Sequence, residues 1–531
     1  MPTFYLDDEP IEFEEGETII KAALRHGKDV PRYCYHPALT VVAQCRMCLV
    51  DVTDMGNGRP APKLFTSCST PAMPGMKVSL QTDKVKEGQN IISELTLVNH
   101  PLDCPICDQS GECDLQDYAF QYGTGHSEMT HEKRTYGWRD VGTYIMLERN
   151  RCIHCSRCER YSKEVEGAHD FGVFLRSHET TFDTFEDHRI THKFQGNLVD
   201  LCPVGAITER EFRFKKRAWK LTRTPSVCAS CATGCNITVD HESNRVERLK
   251  PRENQAVNRW WMCDDGRIGY RQLNDREHRA LEPQARVKGE LIPANWETIQ
   301  LAVITRLEEI SARGDQVVGL ADTTATNEEL FLFKKMLVDC FGAKTYSPAH
   351  PQQAAPTGHF LNDLISPDKT PNSAGAKALG LGMDLKNDGV RKALEKSPKV
   401  VFVLGNPWSE NSQLLALAAK ADFVCHIATF SSPWVQITDV VLPGATFAEK
   451  AGTYTNKHGR VQRIFPAVNP PEDCRDQTRI LLDLMRGLGI STEFNTPVQV
   501  LNGLGSQEAA FKGLTWDTVG TSGQPLAGIK A

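Results

Sequence analysis

The stretch Cys152-Ile153-His154-Cys155-Ser156-Arg157-Cys158, with forty-three residues between it and Cys202-Pro203, decides how the first half of this chain is read. Three cysteines within seven residues suit a cubane cluster, because one short loop can reach three separate irons. The same crowding suits a tetrahedral zinc ion poorly, since zinc modules favour two spaced cysteine pairs. In two-cluster ferredoxins the run continues C-x3-C-P and the fourth cysteine serves the other cluster. Here that position is Ser162. Cys202-Pro203 supplies the one missing thiolate, so the count gives one [4Fe–4S] cluster and not two.

Three more groups lie on either side. His100-Pro101-Leu102-Asp103-Cys104-Pro105-Ile106-Cys107-Asp108-Gln109-Ser110-Gly111-Glu112-Cys113 has three cysteines, one donor short of a cubane. His100 is then either the fourth ligand or a packing histidine; as a ligand, neutral imidazole leaves the cluster less negative and raises its potential. The residues before it (Ile91, Ile92, Leu95, Val98) are spaced as a helix face ending near Asn99. Cys34, Cys45, Cys48 and Cys68 follow the general layout of plant-type [2Fe–2S] ferredoxins, although the first gap is ten residues rather than four. A hairpin over 3–6 and 11–13, and a helix through Ile19, Ile20, Ala23 and Leu24 that stops at Gly27, fit a small β-grasp unit around it. On the C-terminal side Cys228, Cys231 and Cys235 are closed by Cys263, with Gly234 suited to a tight turn. For the first and fourth groups a structural zinc site, or for the first buried free thiols, is the alternative reading.

Fifteen cysteines and His100 make sixteen donors, four for each of four sites. A chain with that many clusters is a wire, its protein setting each potential by charge, hydrogen bonding and burial. There is no nucleophile–base pair, no Walker A loop and no G-x-G-x-x-G, so no flavin or nicotinamide site of its own is visible. The remaining thiols, Cys340, Cys425 and Cys474, stand alone, and Cys340 and Cys425 read as packing residues.

The wider composition narrows the class. The 531 residues suit three or four domains, with 40% hydrophobic and 24% charged residues. A formal charge of −6 argues against a protein that coats nucleic acid. No apolar run spans a bilayer and the N-terminus lacks signal-peptide character, so a cytoplasmic protein is expected. Residues 213–223 carry six Lys/Arg interleaved with Phe214 and Trp219; lying between two cluster groups, they read as a docking face more than a nucleic-acid contact. Beyond about residue 278 strands alternate with helices: a strand over 316–321, a helix opened by a Thr326/Glu329 capping box and closed by Gly342, a strand over 399–405, a helix capped by Ser409, and a strand over 423–428. That is a parallel α/β sheet. The Pro/Gln/Ala-rich stretch 347–357 reads as a surface loop.

The His100–Cys113 run, continued by Asp114-Leu115-Gln116 and flanked by the other cysteine groups, resembles the large iron–sulfur subunit of NADH-quinone oxidoreductase, respiratory complex I. The resemblance implies a [2Fe–2S] cluster on Cys34, Cys45, Cys48 and Cys68. It implies three [4Fe–4S] clusters: on His100, Cys104, Cys107 and Cys113; on Cys152, Cys155, Cys158 and Cys202; and on Cys228, Cys231, Cys235 and Cys263, the last an extra centre off the main electron path. The nineteen residues between Cys48 and Cys68 are more than the family leads one to expect, and Met55–Pro62 reads as a surface insertion. The C-terminal half is similar to molybdopterin oxidoreductases, notably through Gly444, Glu449, Gly452, Asn456, Gly459, Arg460 and Gln462. With no candidate metal ligand in a matching motif, it implies a shortened scaffold without molybdopterin.

The expected organisation is a multidomain α+β then α/β chain. It comprises a [2Fe–2S] ferredoxin-like domain over 1–82, a [4Fe–4S] domain with one histidine and three cysteine ligands over 83–123, and a [4Fe–4S] ferredoxin-like domain over 140–212. A molybdopterin-oxidoreductase-type [4Fe–4S] domain over 221–277 and a degenerate α/β domain over 278–531 complete it. The implied function is relay: electrons from an NADH-oxidising flavoprotein subunit pass along this chain to a ferredoxin-like subunit beside the quinone site. The implied setting is the peripheral arm of a proton-pumping complex on the cytoplasmic membrane face, held there by partner subunits. The rival within electron transfer is the diaphorase-side subunit of a soluble NAD-linked hydrogenase or formate dehydrogenase. A zinc-rich interaction protein and an active molybdenum enzyme are the rivals from other classes.

Overall fold

The computed structural model describes residues 1–127, 129–185, 188–309, 317–339, 341–348, 360–384 and 388–529. The chain forms two compact units, Met1–Leu221 and Thr222–Ala531.

The first unit opens with a mixed five-stranded sheet. Thr3–Leu6 pairs antiparallel with Glu9–Glu12 and parallel with Lys77–Ser79. Asp7 and Asp8 both take positive φ, a conformation that short polar side chains tolerate, so the turn is two residues and the second strand starts at Glu9, earlier than expected. Pro10 then sits within that strand, which is harmless because the strand is an edge. Ile19–Arg25 forms the expected helix, with Ile19, Ile20, Ala22 and Ala23 buried against Phe4, Ile11, Val50 and Val52, and Gly27 beyond it takes positive φ.

The helix expected before the second cysteine group is present as Asp83–Leu97. Ile91 and Leu95 are exposed, at 51% and 66%. The helix buries Val85, Gln89 and Ser93 instead, while Ile92 and Leu97 touch the neighbouring core. Neighbouring residues differ by about 100° around a helix, so Ile91 and Leu95, two positions beyond Gln89 and Ser93, face about 200° away from them. Further on, Arg149–Arg151 forms a single tight turn, and Arg157–Arg160 runs into a wide turn over Tyr161–Glu166 that ends at Gly167. The strand Ile145–Glu148, flanked by Trp138–Arg139 and Ile207–Glu209, backs these turns.

The second unit begins with an antiparallel sheet of Thr222–Val227, Asn236–Glu242 and Arg245–Pro251. An eight-stranded sheet follows. Its parallel part runs Val440–Pro443, Phe423–Ala428, Val400–Leu404, Val317–Ala321, Lys344–Pro348, Gly382–Asp384 in spatial order. The expected strands are present; Gln316 lies outside the described residues, as do Cys340 and residues 349–357 of the expected loop. The Thr326/Glu329 capping box forms and opens the helix Asn327–Lys334, which continues as a wide turn over Lys335–Asp339. The next helix is capped by Asn411, not Ser409. Trp408 takes positive φ and turns the chain, and Asn411 Oδ1 accepts the Leu414 N–H at 3.1 Å, so the helix is Ser412–Ala418. Strand order reverses about Val317–Ala321, which leaves a crevice of about 630 Å³ at the strand carboxyl ends.

Candidate metal centres

Each cysteine group is built by a loop whose backbone is shaped around sulfur. In the first, Cys34, Cys48 and Cys68 are buried and Cys45 is partly so. Ala43 and Arg46 both adopt positive φ, and the Cys34 N–H donates to Cys45 Sγ at 3.4 Å. The thiols associate in two pairs. The Cys45 thiol holds Cys34 down at about 5 against its burial. Cys68 does the same for Cys48, at about 7. The proton kept by each pair sits on Cys45 and Cys68, which are raised.

In the second group Cys107 and Cys113 are buried and Cys104 is exposed. Cys113 stands at the N-terminus of the helix Asp114–Tyr122, and burial raises its thiol to about 12. A Cβ on Gly205 would lie 2.1 Å from Cys107 Sγ, so only glycine fits there. His100 Nδ1 is buried and has no hydrogen-bond partner. Burial, then the charges of Lys133 and Arg151, push this imidazole down to about 4, which leaves it neutral and able to ligate. The His100 side chain also borders a cavity of about 130 Å³ shared with Asn150, Cys152 and His154.

In the third group all four cysteines are partly buried. Cys202 joins Cys152, Cys155 and Cys158 around one small cavity walled by Leu147, Phe171, Phe182 and Val204. His154 and Ser156 take positive φ, which folds the loop, and the His154 N–H donates to Cys152 Sγ at 3.4 Å. Burial raises all four thiols, Cys202 to about 11. In the fourth group Gly234 takes positive φ, Cys228 N–H bonds Cys235 O at 2.8 Å, and all four cysteines are buried. Gly266 presses against two of them: its Cβ would be 3.0 Å from Cys228 Sγ and 3.5 Å from Cys263 Sγ.

Around zinc, with Zn–S near 2.3 Å, four thiolates stand ~3.8 Å apart. Among the described residues, the one His/Cys/Asp/Glu set with every ligand atom within 4.8 Å of the others is Glu166, Asp170 and His192. No three thiols of any cysteine group are that close. The Glu166 set is itself no metal site, because the Phe194 N–H donates to His192 Nδ1. The ring proton then sits on Nε2, 3.2 Å from Asp170 Oδ2, and no lone pair faces the carboxylates.

Sequence reading missed the residues that support these loops. Arg217 of the basic run donates to the carbonyls of Cys107 and Pro105, so part of that run holds the second cluster loop and is not free for docking. Arg151, Arg157 and Arg160 are buried among the cysteine loops. Cys425 and Cys474 are buried as packing residues; Cys474 Sγ bonds Ala280 O at 3.1 Å.

Comparison with known proteins follows the same division. Residues 1–83 match the 2Fe-2S iron-sulfur cluster binding domain, and 89–128 the NADH-ubiquinone oxidoreductase-G iron-sulfur binding region. The chain is a homologue of the G subunit of NADH-quinone oxidoreductase. It is 35% identical to that protein of Rickettsia bellii over 332 residues, 62% of this chain and 47% of the relative. It is 36% identical to the NADH-ubiquinone oxidoreductase 75 kDa subunit of Reclinomonas americana over 346 residues, 65% of this chain and 49% of the relative. This G-subunit homologue thus spans about half the length of the curated relatives it matches. Its residues 142–208 match the ferredoxin-like domain of NADH-quinone oxidoreductase subunit 3, 221–275 the molybdopterin oxidoreductase Fe4S4 domain, and 368–486 molybdopterin oxidoreductase. Among solved structures, a NAD+-reducing [NiFe]-hydrogenase in the H2-reduced state shares 29% identity, covering 40% of this chain and 90% of that one, with a TM-score of 0.36. No described helix of the G-subunit homologue is long and apolar enough to cross a membrane.

Proposed function

We propose that this G-subunit homologue is an electron relay of a proton-pumping NADH:quinone oxidoreductase, carrying one [2Fe–2S] and three [4Fe–4S] clusters. The [2Fe–2S] ligands are Cys34, Cys45, Cys48 and Cys68, in a β-grasp domain spanning 1–82. The cubane ligands are His100, Cys104, Cys107 and Cys113 in 83–123; Cys152, Cys155, Cys158 and Cys202 in 140–212; and Cys228, Cys231, Cys235 and Cys263 in 221–277. The clusters supply one-electron carriers of tunable potential. The chain's own residues orient their ligands and hold them at fixed separation.

One observation carries this reading: forty-three residues separate Cys202 from Cys158, yet Cys202 lines the same apolar cavity as Cys152, Cys155 and Cys158. The partners are an NADH-oxidising flavoprotein subunit on the input side and a ferredoxin-like subunit on the quinone side, with other peripheral-arm subunits fixing the chain to the cytoplasmic membrane face. The 278–531 domain is a scaffold without molybdopterin. Its crevice is lined by a single cysteine, Cys228, which belongs to the fourth cluster group, and its deep charges, Lys450 and Glu329, already pair at 2.6 Å.

Metal analysis and EPR of anaerobically purified, dithionite-reduced chain test the reading. Iron with acid-labile sulfide, little zinc, and overlapping [2Fe–2S] and [4Fe–4S] signals are expected. A colourless, zinc-loaded protein overturns it. Co-purification with a hydrogenase and not with a quinone-reducing complex would transfer the relay to the diaphorase of a soluble NAD-linked enzyme.

A further inference from the structure

Three cluster loops of the first unit meet at two buried arginines. Arg160 is 4% exposed, and each arm of its guanidinium is engaged. Nη2 donates to the carbonyl of Cys34 and, at 3.4 Å, to that of Cys155; Nη1 donates to the Thr40 carbonyl; Nε donates to Ser156 O at 3.3 Å and Ser156 Oγ at 3.2 Å. One rigid, planar group thus bonds a ligand residue of the first site and a ligand residue of the third. Arg157 runs alongside it, from Tyr35 O at 2.9 Å to Leu201 O at 3.1 Å, each one residue from a ligand.

Arg151 makes the equivalent join on the other side. It immediately precedes Cys152, and its Nε and Nη2 donate to Asp103 Oδ2 at 3.1 and 2.9 Å, Asp103 immediately preceding Cys104. Its Nη1 is buried with no hydrogen-bond partner, and Cys107 and His100 both feel its charge. The Gly205 contact brings Cys107 Sγ against the turn that follows Cys202, and the same glycine lies against the Arg151 side chain, so the second and third loops interlock there as well.

We propose that Arg160 and Arg151 are positioning residues for electron transfer, Arg160 fixing the separation of the Cys34-group and Cys152-group centres and Arg151 that of the Cys152-group and His100-group centres. The inference rests on the relay reading above. Tunnelling falls exponentially with separation, so the rate of a hop depends on how firmly its two centres are held apart. A planar fork with several charge-assisted bonds has one geometry. Lysine keeps the charge and loses the fork, so it separates geometry from electrostatics.

The test compares wild-type chain with Arg160→Lys, Arg160→Gln and Arg151→Lys, each purified anaerobically and reduced with dithionite. Iron content reports assembly; microwave power saturation of each EPR signal reports its magnetic coupling to the nearest cluster, which depends steeply on distance. Arg160→Lys should retain its iron, and the half-saturation power of its [2Fe–2S] signal should change several-fold while the His100-group signal keeps its wild-type value. Arg151→Lys should do the reverse. Full iron with unchanged saturation in both lysine variants overturns the proposal. So does equal change at every cluster, which would mean general loosening, and so does equal iron loss in Arg160→Lys and Arg160→Gln, which would make the guanidinium a folding element. A wild-type chain without iron–sulfur signals would instead sink the relay reading itself.

Discussion

Gly205 faces Cys107 so closely that its missing side chain is a structural requirement: a Cβ there would stand 2.1 Å from the sulfur. Neither residue can retreat easily, because Cys107 is buried and Gly205 adjoins Arg151. Gly205→Ala should therefore cost the chain the cluster of the His100 group while sparing the [2Fe–2S] centre. Iron content should fall by one cubane's worth. EPR of the reduced variant checks it, and a full complement of signals would show that the loop can yield.

His100 separates ligation from packing. Its unpartnered, neutral imidazole implies that His100→Ala loses or destabilises one cubane, whereas His100→Cys retains it. A thiolate adds negative charge, so the midpoint potential of that cluster should drop in His100→Cys. A redox titration followed by EPR measures the shift; an unchanged potential would mean that the imidazole is not a ligand.

Glu328 gives a pH dependence of known sign. Burial raises it from the usual 4.5 to about 7, although the Thr453 N–H and hydroxyl both bond its carboxylate. A carboxyl raised on folding favours the folded state fully below its unfolded value. That contribution is lost as pH climbs from about 4.5 through 7. The loss is on the order of 3 kcal/mol at one pKa unit per 1.36 kcal/mol. Glu328→Gln should flatten the fall in thermal midpoint between pH 5 and pH 8, measured across a buffer series on the otherwise unaltered chain.

The Arg279–Glu449 pair tests the α/β unit. Its 2.9 Å contacts are almost wholly buried, with side-chain exposures of 1% and 3%. Arg279→Met strands the glutamate and should destabilise the unit by about 3–5 kcal/mol. Adding Glu449→Gln should recover part of the loss. Denaturant titration of the single and double variants would show whether the two effects couple.

What could be read in the sequence was what short-range chemistry dictates. The Thr326/Glu329 capping box, the buried strands Val317–Ala321 and Val400–Leu404, and the turn at Gly234 each follow from a few adjacent residues. The four cysteine groups stood out because cysteines so closely spaced are metal or redox sites before they are anything else. What was hidden depends on tertiary placement. The periodic stripe of Ile91 and Leu95 is helical but faces outward, since periodicity gives a face and not what covers it. Ser409 and Asn411 are both good caps, and only the reversal at Trp408 chooses between them. Arg160 reaches carbonyls more than a hundred residues away, and nothing local marks it as different from Arg157 or any other basic residue on a helix.

Arg160 has a consequence for how this segment of chain drifts over evolutionary time. Its acceptors at Cys34, Thr40, Cys155 and, in part, Ser156 are peptide carbonyls, which every amino acid supplies. Substitution at Thr40 leaves its bond to Arg160 available, whereas substitution at Arg160 removes them all. The restraint therefore weighs on one codon alone, and an alignment would show a solitary fixed arginine with no covarying mate. Pairwise coevolution, which finds contacts between changing side chains, would pass over the join that this arginine makes.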